Sequence, residues 1–280
     1  MKLTKLLILA AVALLGALPA HTQILKTEPK VDLTDSLREE FDKGPYFSLY
    51  RDNYFAVGTT PTHKPNGDNS NVKFQVSIAQ KLTKSTLPWH TYLYLCYTQH
   101  VVWDVFKNSM PMHDFTFNPG IGIAKPLFNR ERFIGKATLM IEHMSNGRDS
   151  IWSRSWNRIS LGATILISEN IAVDGKIWIP IVDGMNNKDI LKYTGIFQGG
   201  VTIFNNKHNF GGALHFVKRK GWNLSYNTIL DIFWRPWDRA NQYFFLQWYN
   251  GYGETLIDYN KFTNMVRVGI LIKPRFFSEY

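Results

Sequence analysis

The sequence predicts an all-β protein, a twelve-stranded antiparallel transmembrane β-barrel. Three observations predict it: an export-type start, alternating polarity in most later segments, and turn signals between those segments. In one segment Ile159 and Leu161 share a face, while Arg158 and Ser160 occupy the other. Alternation with a period of two indicates a strand with two different faces, and an aliphatic face toward lipid is typical of a membrane barrel. A soluble β-sandwich shows the same alternation and is the alternative.

The start of the chain has the composition of a secretory signal peptide. Basic residues precede an apolar run over residues 6–18, which is short for a membrane helix, and Pro19 and Ala20 fit a cleavage region. We therefore assign residues 1–20 as a signal peptide that is cleaved at about residues 20–23. The alternative is an N-terminal anchor helix.

The rest of the chain divides into a polar arm and one large β domain. Residues 21–45 are predicted to form a short helix or a plug-like arm, and residues 46–280 the barrel. Turn-forming pairs such as Asn146-Gly147 separate several segments. The number of predicted strands is even, as in bacterial single-chain barrels. The strands are predicted near 47–60, 72–82, 91–103, 117–127, 133–145, 156–168, 172–182, 192–206, 209–218, 223–234, 241–252 and 264–276.

Composition narrows the range of functions. The formal charge of +10 suits a nucleic-acid binder, but the basic residues are spread singly and form no run of five or more. We therefore expect no nucleic-acid partner, and we expect the charge to line a barrel interior or to face an anionic outer leaflet. The single cysteine, Cys96, excludes an intramolecular disulfide. Zinc-hydrolase, nucleophile-elbow and Walker motifs are also absent from the sequence.

One hairpin carries the residue types of a hydrolase. His143 and Ser145 are two positions apart in a predicted strand and so share a face, and Asn157 lies on the returning strand. A serine nucleophile, a histidine base and an orienting partner make a catalytic triad. Polar groups that face lipid are costly and usually functional, and a neutral amide avoids placing a carboxylate there. The alternative is that these are ordinary polar residues at a strand end.

The motifs around this hairpin resemble those of the outer-membrane phospholipase A family of Gram-negative bacteria. The resemblance rests mainly on His143–Arg148, Ser153–Arg158, Tyr97–Gln99 and Gly251–Asn260. It implies a twelve-stranded barrel in the cell outer membrane that hydrolyses acyl esters of phospholipids. The implied enzyme is a calcium-dependent phospholipase with A1 and A2 activity, and lysophospholipase activity is allowed.

The resemblance also implies roles for single residues. Ser145 would be the nucleophile, His143 the base and Asn157 the orienting residue. The backbone amide of Gly147 would help to stabilise the oxyanion, together with the calcium ion.

The implied cofactor, Ca²⁺, would bind in the loop of the same hairpin and link two subunits of a homodimer. Arg148, through its carbonyl, and Ser153 would be ligands, and Ser109 of a partner subunit would complete the set. Asn186 stands where the family has an aspartate at a second calcium position, which puts that second site in doubt. Gln99 resembles a membrane-embedded glutamine at the family's dimer interface; the alternative is that it points into the lumen.

A rival function is a passive channel or structural barrel that keeps the fold without the chemistry. Such a protein would need an open lumen. Large polar residues predicted to face inward, such as Arg158 and Glu142, speak against one.

Overall fold

The computed structural model describes residues 33–129, 132–182, 184–221, 223–237 and 240–274. The predicted signal peptide and the first part of the polar arm lie outside the described residues. Within these ranges, no helix is both long enough and apolar enough to cross a bilayer.

The described chain forms a closed antiparallel barrel. Its strands are β1 (Phe47–Leu49), β2 (Asn53–Thr59), β3 (Ser70–Lys81), β4 (Tyr92–Trp103), β5 (Met112–Asn129), β6 (Arg132–Ser145), β7 (Ser155–Leu166), β8 (Ile171–Ile181), β9 (Phe197–Phe204), β10 (Phe210–Lys218), β11 (Tyr226–Trp234), β12 (Gln242–Gly251) and β13 (Thr263–Ile272). From β3 onward each strand pairs with its neighbours in the chain, and β13 pairs with β2 to close the barrel. Both β1 and β2 pair with β3, so they form one interrupted strand. The prediction of a twelve-stranded antiparallel barrel is therefore confirmed, and a sandwich is excluded.

Two predicted strands differ most from the structure in their boundaries. The strand predicted at 192–206 begins only at Phe197, because Leu191–Thr194 forms the short helix α2. Gly195 ends this helix with a φ of 65°, a conformation that favours glycine and directs the chain into β9. The strand predicted at 117–127 is too short, since β5 extends over Met112–Asn129.

The two faces of the barrel wall differ sharply in chemistry. Ile141 points outward and is 58% exposed, whereas its neighbour Glu142 points inward and is 2% exposed. The same alternation separates exposed Ile159 and Leu161 from buried Arg158 and Ser160. An apolar outer surface around a polar interior is the inverse of a soluble protein and is typical of a membrane barrel.

The two ends of the barrel also differ. One end carries most of the longer connections, including residues 146–154 and 182–196, and the other carries most of the short turns, such as 167–170. At the short-turn end lies helix α1 (Leu33–Lys43), within the predicted polar arm. The Lys81 ammonium group donates hydrogen bonds to the carbonyl oxygens of Phe41 and Gly44 at 2.7 and 3.0 Å. This buried cation therefore holds the C-terminal end of the helix against the barrel.

Candidate active site

The hairpin of β6 and β7 places His143 directly opposite Asn157. The His143 Nδ1 atom lies 2.8 Å from the Asn157 Oδ1 atom. A carbonyl oxygen can only accept, so this hydrogen bond assigns the ring hydrogen to Nδ1. The Nε2 atom is then left with a lone pair, which is the tautomer that a general base needs.

Ser145 lies at the end of β6, two residues beyond His143 and on the same outward face. Its side chain and those of His143 and Asn157 are all half-buried. Among the described residues, no hydrogen bond joins the Ser145 hydroxyl to the His143 ring. The structure thus brings the histidine and the asparagine into contact and places the serine beside them on the same wall.

The loop after Ser145 is organised by Asn146, to which the sequence pattern assigned no role of its own. Its side-chain oxygen accepts a hydrogen bond from the Arg154 amide at 2.9 Å, and its Nδ2 donates to the Trp152 carbonyl at the same distance. The Asn146 side chain is 2% exposed. It therefore joins the two ends of the loop through hydrogen bonds. The position of Asn146 directly after Ser145 was the sequence signal that could have indicated this role.

Gly147 occupies a position that strongly favours glycine. Its φ is 65°, and a Cβ atom built there would lie 2.8 Å from the Phe117 ring. Both the backbone conformation and the space therefore favour glycine over other residues. The chain turns sharply directly after Ser145, which leaves the Gly147 amide two residues from the serine.

Two oxygen atoms of this loop suit a hard cation. The Arg148 carbonyl and the Ser153 hydroxyl make no hydrogen bond within the described chain. The Arg148 guanidinium donates to the His113 carbonyl at 2.7 Å, which ties the loop to the start of β5. Carbonyl and hydroxyl oxygens are ligands that calcium accepts, so the residues present fit this ion. In the described residues no group of three or more His, Cys, Asp or Glu side chains could hold a metal.

Ser109 lies in the neighbouring loop, between β4 and β5, at the same end of the barrel. It is exposed and has a φ of 63°. No hydrogen bond within the described chain joins it to Arg148 or Ser153. Asn186 donates from Nδ2 to the Ser150 carbonyl at 2.7 Å and so links two loops at this end.

Gln99 points outward, so the alternative of a lumenal glutamine does not match the structure. Its neighbour Thr98 faces the interior and is 3% exposed, and the Tyr97 hydroxyl lies 3.3 Å from the Gln99 Oε1 atom. Gln99 pairs with Phe117, which in turn pairs with Ser145. The glutamine and the serine are thus two strands apart in one row of the outer surface.

A buried cluster of charged side chains lies inside the barrel, away from β6. Glu254, in the connection between β12 and β13, accepts hydrogen bonds from Arg267 at 2.7 Å and from Lys73 at 3.2 Å. Burial by itself raises the pKa of the Glu254 carboxyl, but the charges of Arg267 and Lys73 outweigh it and hold this pKa at about 2. The Glu254 carboxyl is therefore ionised at neutral pH.

The sequence has clear relatives. The sequence model of the phospholipase A1 family matches residues 45–272. Phospholipase A1 of Escherichia coli strain K12 is 31% identical over 221 residues, which cover 75% of this chain and 72% of that protein. Phospholipase A1 of Salmonella typhimurium is 32% identical over 220 residues, with the same coverage of both chains.

Solved structures show the same architecture. The outer membrane phospholipase of Salmonella typhi, crystallised as a dimer with bound calcium, superposes with a TM-score of 0.69 at 25% identity, over 80% of this chain and 91% of that one. Outer membrane phospholipase A from Escherichia coli gives a TM-score of 0.69 at 25% identity, over 81% and 98%. The chain therefore belongs to the phospholipase A1 family and is a phospholipase of the outer membrane.

Proposed function

We propose that the chain hydrolyses the acyl esters of glycerophospholipids with Ser145 as nucleophile, His143 as base and Asn157 as orienting residue. The observation that carries the proposal is the 2.8 Å contact between His143 Nδ1 and Asn157 Oδ1. With Nδ1 donating, Nε2 accepts the Ser145 proton as the hydroxyl attacks the ester carbonyl. The same ring then gives this proton to the departing alcohol, and a water molecule releases the acyl group in a second cycle.

The oxyanion that forms during attack needs positive partners. The Gly147 amide is the nearest backbone donor to Ser145 along the loop and is proposed for this role. A calcium ion held by the Arg148 carbonyl and the Ser153 hydroxyl would supply further positive charge beside it. The calcium-bound dimer of the Salmonella typhi relative supports this part of the proposal.

The active state is proposed to be a homodimer in the outer membrane. Gln99 presents a polar group on the largely apolar outer face, and polar groups in lipid seek partners from neighbouring segments. Ser109 is exposed at the rim, where it can reach a second copy and complete the calcium ligands. Both phospholipase A1 and phospholipase A2 activities are proposed. The ion pair of Arg158 and Glu142 projects into the lumen, which supports the enzyme over the rival passive channel.

Release of fatty acid from phosphatidylcholine micelles by purified, refolded protein tests the proposal. The Ser145→Ala variant should lose activity by a factor of about 10³ or more. Ser155→Ala is the matched control, since Ser155 pairs with Ser145 across the hairpin and should be dispensable. Parent-level activity in Ser145→Ala would show that the nucleophile is another residue.

A further inference from the structure

Behind the proposed triad, on the inner side of the same hairpin, lies a buried carboxylate with an unusual number of donors. Glu142 is 2% exposed and accepts hydrogen bonds from Arg158 Nε and Nη2, both at 2.9 Å. Its other contacts are Ser160 Oγ at 2.6 Å, Arg51 Nη2 at 3.0 Å and Lys176 Nζ at 3.1 Å. The partners come from β7, from β8 and from the segment between β1 and β2.

The Arg158 guanidinium is itself fixed in place. It lies over the rings of Trp156 and Trp178, with its central carbon 5.5 and 5.0 Å from their centroids. A two-point contact between a planar guanidinium and a carboxylate, stacked on aromatic rings, has one geometry rather than many. The ion pair therefore fixes the position of β6 relative to β7.

This ion pair is one residue away from the proposed catalytic contact between His143 and Asn157. Glu142 pairs with Arg158, and the next pair along the hairpin is His143 with Asn157. A strand register that shifts by one residue turns every side chain to the other face, and a shift by two residues gives His143 a new partner. The loop 146–154 is long, so the turn alone does not impose the register as a tight hairpin would.

We infer that Glu142 and Arg158 are positioning residues for the hydrolytic reaction, because their buried ion pair sets the register that places Asn157 against His143. This inference rests on the proposed function of the triad. Neither residue touches the substrate, which reaches the hairpin from the opposite face of the sheet. Their effect passes through the orientation of the imidazole ring, and this route separates a positioning role from a purely stabilising one.

The test is a double-mutant cycle that combines Glu142→Gln with Asn157→Ala. Activity is measured on phosphatidylcholine micelles and divided by the folded fraction, which the heat-modifiable gel mobility of barrels reports. We expect Glu142→Gln alone to lower kcat by a factor of about 10 to 100 with KM unchanged, as small displacements of catalytic groups do. In the Asn157→Ala background the same substitution should change kcat by less than about twofold, because the contact that it orients is already lost.

The matched control is Glu254→Gln. This carboxylate is also buried and paired with an arginine and a lysine, but it lies away from the hairpin. The Glu254→Gln substitution should lower the folded fraction and leave the kcat of the folded molecules unchanged. If Glu142→Gln does not fold, Arg158→Lys takes its place, since lysine keeps the charge and loses the two-point contact; it should show the same non-additive loss of kcat.

Two results would overturn the inference: an unchanged kcat in folded Glu142→Gln or Arg158→Lys, or an equal loss of kcat in both backgrounds. These outcomes leave the triad itself intact, because they do not alter the effects of Ser145→Ala or Asn157→Ala. Full activity in Asn157→Ala alone would instead remove the orienting role, and the positioning inference would fail with it.

Discussion

The outer and inner faces of the β6–β7 hairpin use neighbouring residues in opposite ways. On the outer face, the His143 ring contacts Asn157 through Nδ1, and within the described residues no hydrogen bond joins the ring to the Ser145 hydroxyl. On the inner face, Glu142 is surrounded by donors from four side chains, those of Arg158, Ser160, Arg51 and Lys176. Groups that react must retain unused bonding capacity, whereas groups that support must use all of theirs.

The difference shows that adjacent residue pairs of one hairpin can have separate roles. The pair His143–Asn157 faces outward for the proposed reaction, and the pair Glu142–Arg158 faces inward and stabilises the hairpin. Alternation puts the proposed reactive groups on the lipid side, which a phospholipid can approach, and the ionic groups on the inner side. Substitutions on the outer face should therefore cost activity with little change in stability. Substitutions on the inner face should cost both, since an uncompensated buried charge destabilises by roughly 3–5 kcal/mol.

The largest effect is expected from His143→Ala, which breaks the outer face alone. Removal of the proposed base should lower kcat by a factor of about 10³ or more. The free energy of unfolding should change by no more than about 0.5 kcal/mol, because the side chain is half-buried at the surface of the barrel wall. Kinetics and denaturant unfolding of the same preparation check both halves. A loss of stability as large as that of an inner-face variant would contradict the separation of the two faces.

A smaller effect is expected from Gly147→Ala, which changes the loop directly after Ser145. An added methyl group would meet the Phe117 ring at 2.8 Å and would need a φ of 65°. The Gly147 amide should therefore move, and kcat should fall by about 10²-fold, as when an oxyanion donor is lost. Gly175→Ala is the control, since nothing lies within 4 Å of its added Cβ atom. A parent-like kcat in Gly147→Ala would exclude this amide as the oxyanion donor.

The smallest expected effect concerns association. If Arg148 and Ser153 bind calcium together with Ser109 of a second copy, calcium binds the dimer better than the monomer and shifts the equilibrium toward it. At a calcium concentration of about 100 times Kd, the shift is worth about 2.7 kcal/mol. Sedimentation in detergent, with calcium or with chelator, should show the dimer and the activity rising in parallel. Full activity in a calcium-free monomer would show that the outer face is complete within one chain.

Much of the fold could be predicted because it follows from local chemistry. The alternation of Ile159 and Leu161 with Arg158 and Ser160 requires only the period of a strand, so the faces and the barrel class were accessible. The same period placed His143 and Ser145 on one face. The error at 192–206 arose because the residues of α2 also suit a strand, and the backbone turn at Gly195 is a property of the folded chain.

The sequence by itself determined the composition of each face and the presence of Ser145, His143 and Asn157 on adjacent strands. Only the tertiary structure decided that Gln99 points outward, that Asn146 holds the loop together, and that Arg51 reaches Glu142 across the lumen. Arg51 and Glu142 are 91 positions apart, and their contact exists because the barrel closes. Periodicity is a local property that a single strand carries, whereas register, closure and long-range ion pairs depend on how separate strands meet.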